Sequence, residues 1–251
     1  MRKIDRTGEI NYNNQGSLMK IVKYNNATDI IVEFQDEHKY QIKCKYSDFK
    51  KGSVKNKFYP IVYDKGYIGN TTSKINGIKK KSYEVWRKML QRAYDKKLHK
   101  IRQTYKDVIV CDEWLCFENF EKWFDNNYYE IKDEVMCLDK DILIKGNKIY
   151  SPSTCIFVPN RINVLIINSN KARGEYPIGV YWHKKEKKFN ASLDIDGKNI
   201  VVGRFDNPQE AFNCYKKAKE SEIKRIADKY KTKIPQKLYN ALYNYKVEIT
   251  D

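Results

Sequence analysis

Residues 176–205 have the sequence YPIGVYWHKKEKKFNASLDIDGKNIVVGRF, and this stretch decides the fold of the chain. Its alternation of apolar and polar residues predicts three short antiparallel strands, at residues 178–183, 188–194 and 198–205. Asp196-Gly197 is a strong signal for a hairpin turn between the last two strands. Asn207 and Pro208 then predict the N-cap and first position of a helix. The stretch therefore predicts a three-stranded sheet with a helix packed on one face.

Strand alternation predicts which side chains lie on the other face. With Phe189, Ala191, Leu193 and Phe205 under the helix, Val202 and the polar residues between them point outward. Arginine and asparagine on such a face suit base edges in the major groove, and lysines suit phosphates. The predicted nucleic-acid-binding residues are Tyr181, His183, Lys184, Lys185, Lys187, Lys188, Asn190, Ser192, Lys198 and Arg204.

The charge of the chain supports a polyanionic partner. The 251 residues include 49 Lys and Arg against 32 Asp and Glu, a formal net charge of +17 spread along the chain. Lysines that neutralise phosphates release counterions and gain affinity, so double-stranded DNA is the first expected partner. Two alternatives stay open: a lysine-rich composition bias, and a sheet-and-helix module that binds protein. The sequence predicts no membrane span and no signal peptide, and therefore a cytoplasmic protein.

The remaining sequence predicts two further modules in an α+β, multidomain chain. Residues 1–70 contain three alternating segments, which predict a small β-barrel or sheet. Residues 71–81, TTSKINGIKKK, are interpreted as a polar basic linker, followed by a helix with Ser82 as its N-cap. A second amphipathic helix is predicted to end before Asp125, and a last helix is predicted at residues 235–245. The predicted modules are 1–70, 71–172 and 173–251.

The C-terminal module resembles a known family. The motif GVYW, the basic turn, DGK, G-x-F-D and the E-A-x-x-x-Y helix are similar to the plant ethylene-response-factor (Apetala) DNA-binding domain and its phage relatives. The similarity covers about sixty residues. It implies that the outward face of the sheet contacts bases in the major groove, with Tyr181, His183, Lys188, Asn190 and Arg204 at such positions.

The middle module resembles the HNH-endonuclease-like proteins of phages. The similar segments are W-x-x-M-L-x-R from Trp86, V-C-D-E-W from Val110, L-D-K-D from Leu138 and G-N-K-x-Y-S-P from Gly146. The resemblance implies a central ββα module with flanking helices. It also implies a metal ion, expected to be Mg²⁺, that neutralises the phosphate, and a histidine that activates water.

The catalytic histidine of that family is missing here. Asp139 matches the ligand position, whereas Lys140 stands where the histidine is expected. Three interpretations stay open: weak metal-dependent nicking, a catalytically inactive DNA clamp, or carboxylates that only cap turns and pair with lysines. The catalytic candidates are Asp139 and Lys140, and the metal-ligand candidates are Asp139, Asp141, Asn147 and Asn163. The spacing of Cys111, Cys116, Cys137 and Cys155 does not favour zinc.

The combined resemblance predicts a phage-type DNA-binding protein with a degenerate HNH-like core, similar to homing endonucleases. One alternative is an interaction protein that inhibits a host defence system, such as a CRISPR effector, by binding its nucleic-acid channel or its guide RNA. The partner would then be RNA or a host nucleoprotein complex. A second alternative is a transcriptional regulator that uses the same sheet without cutting.

Overall fold

The computed structural model describes residues 4–166 and 175–249, and its chain divides into two units, Met1–Asn126 with Lys148–Ser151 and Asn127–Asn147 with Pro152–Asp251. The strands are β1 (Ile10–Tyr12), β2 (Leu18–Asn26), β3 (Asp29–Phe34), β4 (Gln41–Cys44), β5 (Lys74–Ile75), β6 (Ile78–Lys79), β7 (Ile109–Val110), β8 (Met136–Asp139), β9 (Ile149–Tyr150), β10 (Ile156–Pro159), β11 (Val180–His183), β12 (Lys188–Ile195) and β13 (Lys198–Phe205). The helices are α1 (Tyr46–Lys50), α2 (Lys81–Tyr94), α3 (Lys96–Ile101), α4 (Phe117–Asn127), α5 (Asn160–Ile166), α6 (Pro208–Tyr230) and α7 (Gln236–Tyr243).

These elements confirm the predicted α+β class. The described residues form several separate sheets and no closed barrel. The three-module division stays a prediction, and residues 71–172 contribute to both units. The predicted boundary at residues 172 and 173 lies outside the described residues. Within the described residues, the helices are too short or too polar for one of them to cross a bilayer.

The first unit begins with an antiparallel sheet in the order β1-β2-β3-β4. Alternate residues of β2 and β3, among them Met19, Ile21 and Val32, are fully buried and pack with Phe49 of α1. This is the arrangement that alternating apolar residues produce when one face of a sheet is covered. The sequence predicted three of these four strands and missed β1.

The segment predicted to be a linker forms a hairpin instead. β5 and β6 pair antiparallel, with Lys74 opposite Lys79 and Ile75 opposite Ile78. Asn76 and Gly77 have φ angles of 49° and 79°, and positive values at both central residues are those of the tight turn that Asn-Gly favours. The segment was interpreted as a linker because it is rich in lysine, although Asn76-Gly77 is itself a turn signal.

The predicted N-cap of α2 was wrong. The helix begins at Lys81, so Ser82 lies inside its first turn and is buried. Its hydroxyl oxygen lies 3.1 Å from a carboxylate oxygen of Glu121, to which it donates a hydrogen bond. The Ser82 hydroxyl therefore binds the carboxylate of Glu121 on α4 and does not cap the start of α2. Helix α4 also extends to Asn127, past the predicted end before Asp125.

The second unit contains the C-terminal sheet, in the order β11-β12-β13, with α6 on one face. Ala191 and Leu193 of the sheet belong to the same buried cluster as Ala211, Phe212 and Tyr215 of α6. The side chain of Asn207 caps α6 by accepting a hydrogen bond from the backbone N–H of Gln209 at 2.7 Å, as predicted. Strands β8 and β10 pair antiparallel in this unit, and α5 follows directly after Pro159, the last residue of β10.

Candidate nucleic-acid interface

The three C-terminal strands place one row of side chains on the face opposite α6. Tyr181, Asn190 and Arg204 are direct cross-strand partners, and His183 lies opposite Lys188. Ser192 follows on the same face, because side chains alternate along a strand. We call this the outward face, and it consists of Tyr181, His183, Lys188, Asn190, Ser192, Val201 and Arg204.

Val201 is the outward residue that the sequence analysis missed. Ala191 pairs with Gly203 whereas Ser192 pairs with Val201, so the register shifts and Val202 has no residue opposite it. An extra residue of this kind is a β-bulge, which reverses the alternation beyond it. Val202, predicted to point outward, packs against the core cluster, and Val201 is 38% exposed. No local sequence signal marks Val201, because the bulge depends on how β13 pairs with β12.

The predicted basic residues surround this face. Lys184, Lys185 and Lys187 are exposed in the turn between β11 and β12, and Lys198 is exposed at the start of β13. Lys187 has a φ of 50°, which is uncommon for a residue with a side chain and bends the turn tightly. The three turn lysines thus form one positive end of the sheet, as the phosphate contacts of a nucleic-acid-binding surface require.

Two acidic residues hold cations at the same end of the sheet. Arg204 Nε lies 2.8 Å from a Glu186 carboxylate oxygen, and His183 Nδ1 accepts a hydrogen bond from the Glu186 backbone N–H at 3.3 Å. Lys188 Nζ lies 2.6 Å from Asp206. Ion pairs this exposed contribute at most about 1 kcal/mol, so phosphates can replace the carboxylates at little cost. The ion pairs therefore orient the cations but leave them available to bind phosphates.

Asn190 differs from its prediction as an exposed contact residue. It is 2% exposed although it lies on the outward face, and its side-chain amide donates a hydrogen bond to the Tyr181 hydroxyl at 3.2 Å. Among the described residues, none donates a hydrogen bond to Asn190 Oδ1. A buried acceptor without a partner costs about 1–3 kcal/mol. Tyr181 therefore covers Asn190, and a ligand reaches the amide only if the tyrosine side chain moves.

An ionic cluster fixes the far end of the sheet. Asp196, in the β12–β13 turn, accepts from Arg161 of α5 and from Arg225 of α6, the latter at 3.1 Å. Two nitrogens of Arg225 also lie 2.7 Å from the two carboxylate oxygens of Glu222, which is buried. This bidentate pair raises the pKa of Arg225 above its ordinary value. The turn is consequently linked to both helices by ion pairs.

The second candidate site surrounds Asp139 at the end of β8. Asp139 Oδ1 accepts hydrogen bonds from the backbone N–H groups of Asp141 at 2.9 Å and Ile142 at 2.7 Å. Lys140 is buried, and its Nζ lies 3.1 Å from an Asp141 carboxylate oxygen. An ammonium group that donates to a carboxylate does not accept a proton from water. This geometry matches the interpretation in which the carboxylates cap a turn and pair with lysine.

The other predicted metal ligands are arranged differently. The side-chain amide of Asn147 donates to the backbone carbonyl of Lys140 at 2.6 Å, and Asn163 lies half-buried on α5. Within residues 4–166 and 175–249, no group of three or more His, Cys, Asp or Glu side chains could hold a metal ion. All six cysteines are free thiols. The Mg²⁺ site and the catalytic roles of Asp139 and Lys140 stay predictions.

Asp139 makes the stability of the second unit depend on pH. Burial, together with the nearby charge of Asp141, raises the pKa of Asp139 from 3.8 to about 6. A raised pKa stabilises the fold at low pH, and this contribution is lost as the pH rises from about 4 to 6. We expect Asp139→Asn to stabilise the protein by about 1–3 kcal/mol at pH 7 and by almost nothing at pH 4. The amide oxygen can still accept both backbone hydrogen bonds.

Thermal unfolding of both proteins at the two pH values measures this effect. An equal difference in Tm at pH 4 and pH 7 would contradict the assignment of the raised pKa to Asp139.

Comparison with known proteins gives one similarity. A protein of Acanthamoeba polyphaga mimivirus, described as a "putative 3'-5' exonuclease", is 30% identical over 103 residues. The matching part is 38% of this chain and 23% of the viral protein, so the chain spans less than a quarter of that relative's length. No family model matches the chain, and no solved structure matches it.

Proposed function

We propose that the chain binds duplex DNA through the outward face of its C-terminal sheet. One observation carries the proposal: the strand pairing brings Tyr181, Lys188, Ser192 and Arg204 onto one face, opposite the helix that covers the sheet. Three exposed lysines stand at one end of that face. A two- or three-stranded β-ribbon fits the major groove of B-DNA, and this face has the chemistry for it.

The residues of the outward face divide into two roles. Lys184, Lys185 and Lys187 neutralise phosphates and set the position of the sheet on the backbone. Arg204 can donate two hydrogen bonds to a guanine edge, and exposed Val201 can contact a thymine methyl group. The negative charge of the DNA repels Glu186, which releases Arg204 for the guanine edge. Sequence preference therefore resides in β13, and non-specific affinity resides in the β11–β12 turn.

The mimivirus relative supports a nucleic-acid-related function, because that protein is described as a putative exonuclease. Its short match does not transfer the exonuclease activity to this chain. The phage-type, HNH-like interpretation remains part of our proposal, with binding rather than cutting as the main task. Nicking with Mg²⁺ at Asp139, regulation of transcription and inhibition of a host defence complex through RNA or protein stay predictions from the sequence.

A salt series of gel-shift measurements on the full chain tests the proposal. With four to six phosphate contacts, the logarithm of the association constant is expected to fall linearly with the logarithm of salt concentration, with a slope of about −4 to −5. A mixed-sequence duplex of about 30 base pairs serves as the probe. Absence of a shifted band at low salt would overturn the proposal, as would a slope near zero.

A further inference from the structure

The β5–β6 hairpin carries an exposed apolar tip. Ile75 and Ile78 are 60% and 76% exposed, and they lie opposite each other beside the Asn76-Gly77 turn. All six residues from 74 to 79 are exposed. A pair of isoleucines in this position gains nothing from the core of the unit. The burial of such a pair therefore needs a partner outside the described residues of the unit.

The base of the hairpin is fixed to the helices behind it. Lys80, directly after β6, pairs with Glu121 of α4 at 3.0 Å, and both side chains are largely buried. The Thr71 hydroxyl also lies 2.6 Å from a Glu121 carboxylate oxygen, and the backbone N–H of Lys80 donates to the Ser73 carbonyl at 3.0 Å. The two ends of the hairpin are thus held together on one carboxylate. These contacts hold the base of the hairpin in place while its tip stays exposed.

The charge around the tip indicates what that partner is. Lys74, Lys79 and Lys81 lie within eight residues, and the sequence from 65 to 83 contains no Asp or Glu. Lys79 pairs with Glu84 at 3.3 Å but keeps about half of its side chain exposed. An apolar surface flanked by negative charges complements this combination of exposed isoleucines and lysines. A base step of duplex DNA, stacked between two phosphate backbones, has this chemistry.

We propose that the 74–79 hairpin is a wedge that inserts Ile75 and Ile78 between base pairs from the minor groove and kinks the duplex. Apolar side chains, isoleucine included, unstack base steps in this way in proteins that bend DNA. Asn76 at the turn has both a donor and an acceptor for the base edges of the groove. The inference rests on the proposed DNA binding and adds a second contact, which deforms the DNA instead of recognising its sequence.

The test uses the full chain and a duplex of about 30 base pairs that contains flexible TA steps. Fluorescent dyes at the two ends report bending, and a 2-aminopurine at a TA step reports unstacking. Wild type is expected to shorten the end-to-end distance and to raise the 2-aminopurine signal. The double variant Ile75→Ser/Ile78→Ser is expected to lose both effects and to bind about tenfold more weakly.

The matched control is Ile61→Ser/Ile101→Ser, which alters two other exposed isoleucines of the same unit. It is expected to bend and unstack the duplex as wild type does. If wild type binds the duplex without bending it, or if the Ile75→Ser/Ile78→Ser variant still bends it, the wedge is refuted while the proposed function stands. If wild type binds no duplex, both the wedge and the proposed function are refuted. If the tip variant changes only self-association in light scattering, the tip contacts protein and the wedge is overturned.

Discussion

Reversing the charge of Lys184, Lys185 and Lys187 to glutamate is expected to lower the affinity for duplex DNA by about 100-fold or more at 0.1 M salt. Each exposed lysine that contacts a phosphate releases about one counterion, so the triple variant should also reduce the salt slope by about 3. These residues lie in an exposed turn away from the core cluster, so the fold should be retained. Gel shifts across a salt series measure both quantities, and circular dichroism verifies folding.

A second triple variant with the same change in charge distinguishes contact through the outward face from the effect of net charge. Lys217, Lys229 and Lys233 are exposed on α6 or just after it, away from the outward face. Their change to glutamate is expected to lower affinity less than tenfold, through the long-range field alone. Equal losses for the two triples would show that the outward face is not the contact surface.

A change at Glu186 should act in the opposite direction. Glu186→Gln removes the carboxylate that holds Arg204 and is expected to tighten binding by about threefold to tenfold. No gain in affinity would contradict the assignment of Arg204 to the contact surface.

Gly179→Ala is expected to destabilise the second unit by more than about 3 kcal/mol, enough to lower the yield of folded protein. Gly179 has a φ of 73°, and an added Cβ would lie inside van der Waals contact with the ring of Tyr215, which is buried under the sheet. The Tyr215 ring packs in the core cluster, and Gly179 O accepts a hydrogen bond from Ser192 N at 2.8 Å, so a shift of either one costs native contacts. Urea unfolding measures the loss.

Gly197→Ala is the matched control for that change. Gly197 has a similar φ of 80°, but an added Cβ there meets no atom of the described structure within 4 Å. The backbone strain alone is expected to cost about 1 kcal/mol. Equal losses at the two positions would mean that strain, and not contact with Tyr215, requires glycine at residue 179.

The local signals of the C-terminal sheet predicted its structure closely. Alternation gave strands within two residues of β11, β12 and β13, because the apolar residues of each strand lie against one helix. Asp196-Gly197 gave the turn, with positive φ at both residues, and Asn207 gave the cap of α6. Each of these features depends on a few neighbouring residues, and such features can be predicted from one sequence.

The features that were missed depend on residues far apart in the sequence. The bulge at Val202 is set by how β13 pairs with β12, and alternation alone cannot show it. Asn190 was predicted to be exposed because its polarity fits the outward face, whereas Tyr181, on another strand, covers it. The ionic cluster of Asp196 joins residues from a turn and two helices. Such contacts appear only once the chain has folded.

The four-residue segment Lys148–Ser151 has a consequence for synthesis on the ribosome. It supplies β9, which pairs with β7 of the first unit, and it supplies the buried Tyr150, whose hydroxyl accepts from Arg92 at 2.9 Å. Residues 127–147, which precede this segment, belong to the second unit. The first unit is therefore incomplete until residue 151 has left the ribosome. A gene fragment that ends at residue 126 encodes a unit without one strand, so recombination at that boundary does not exchange an intact module.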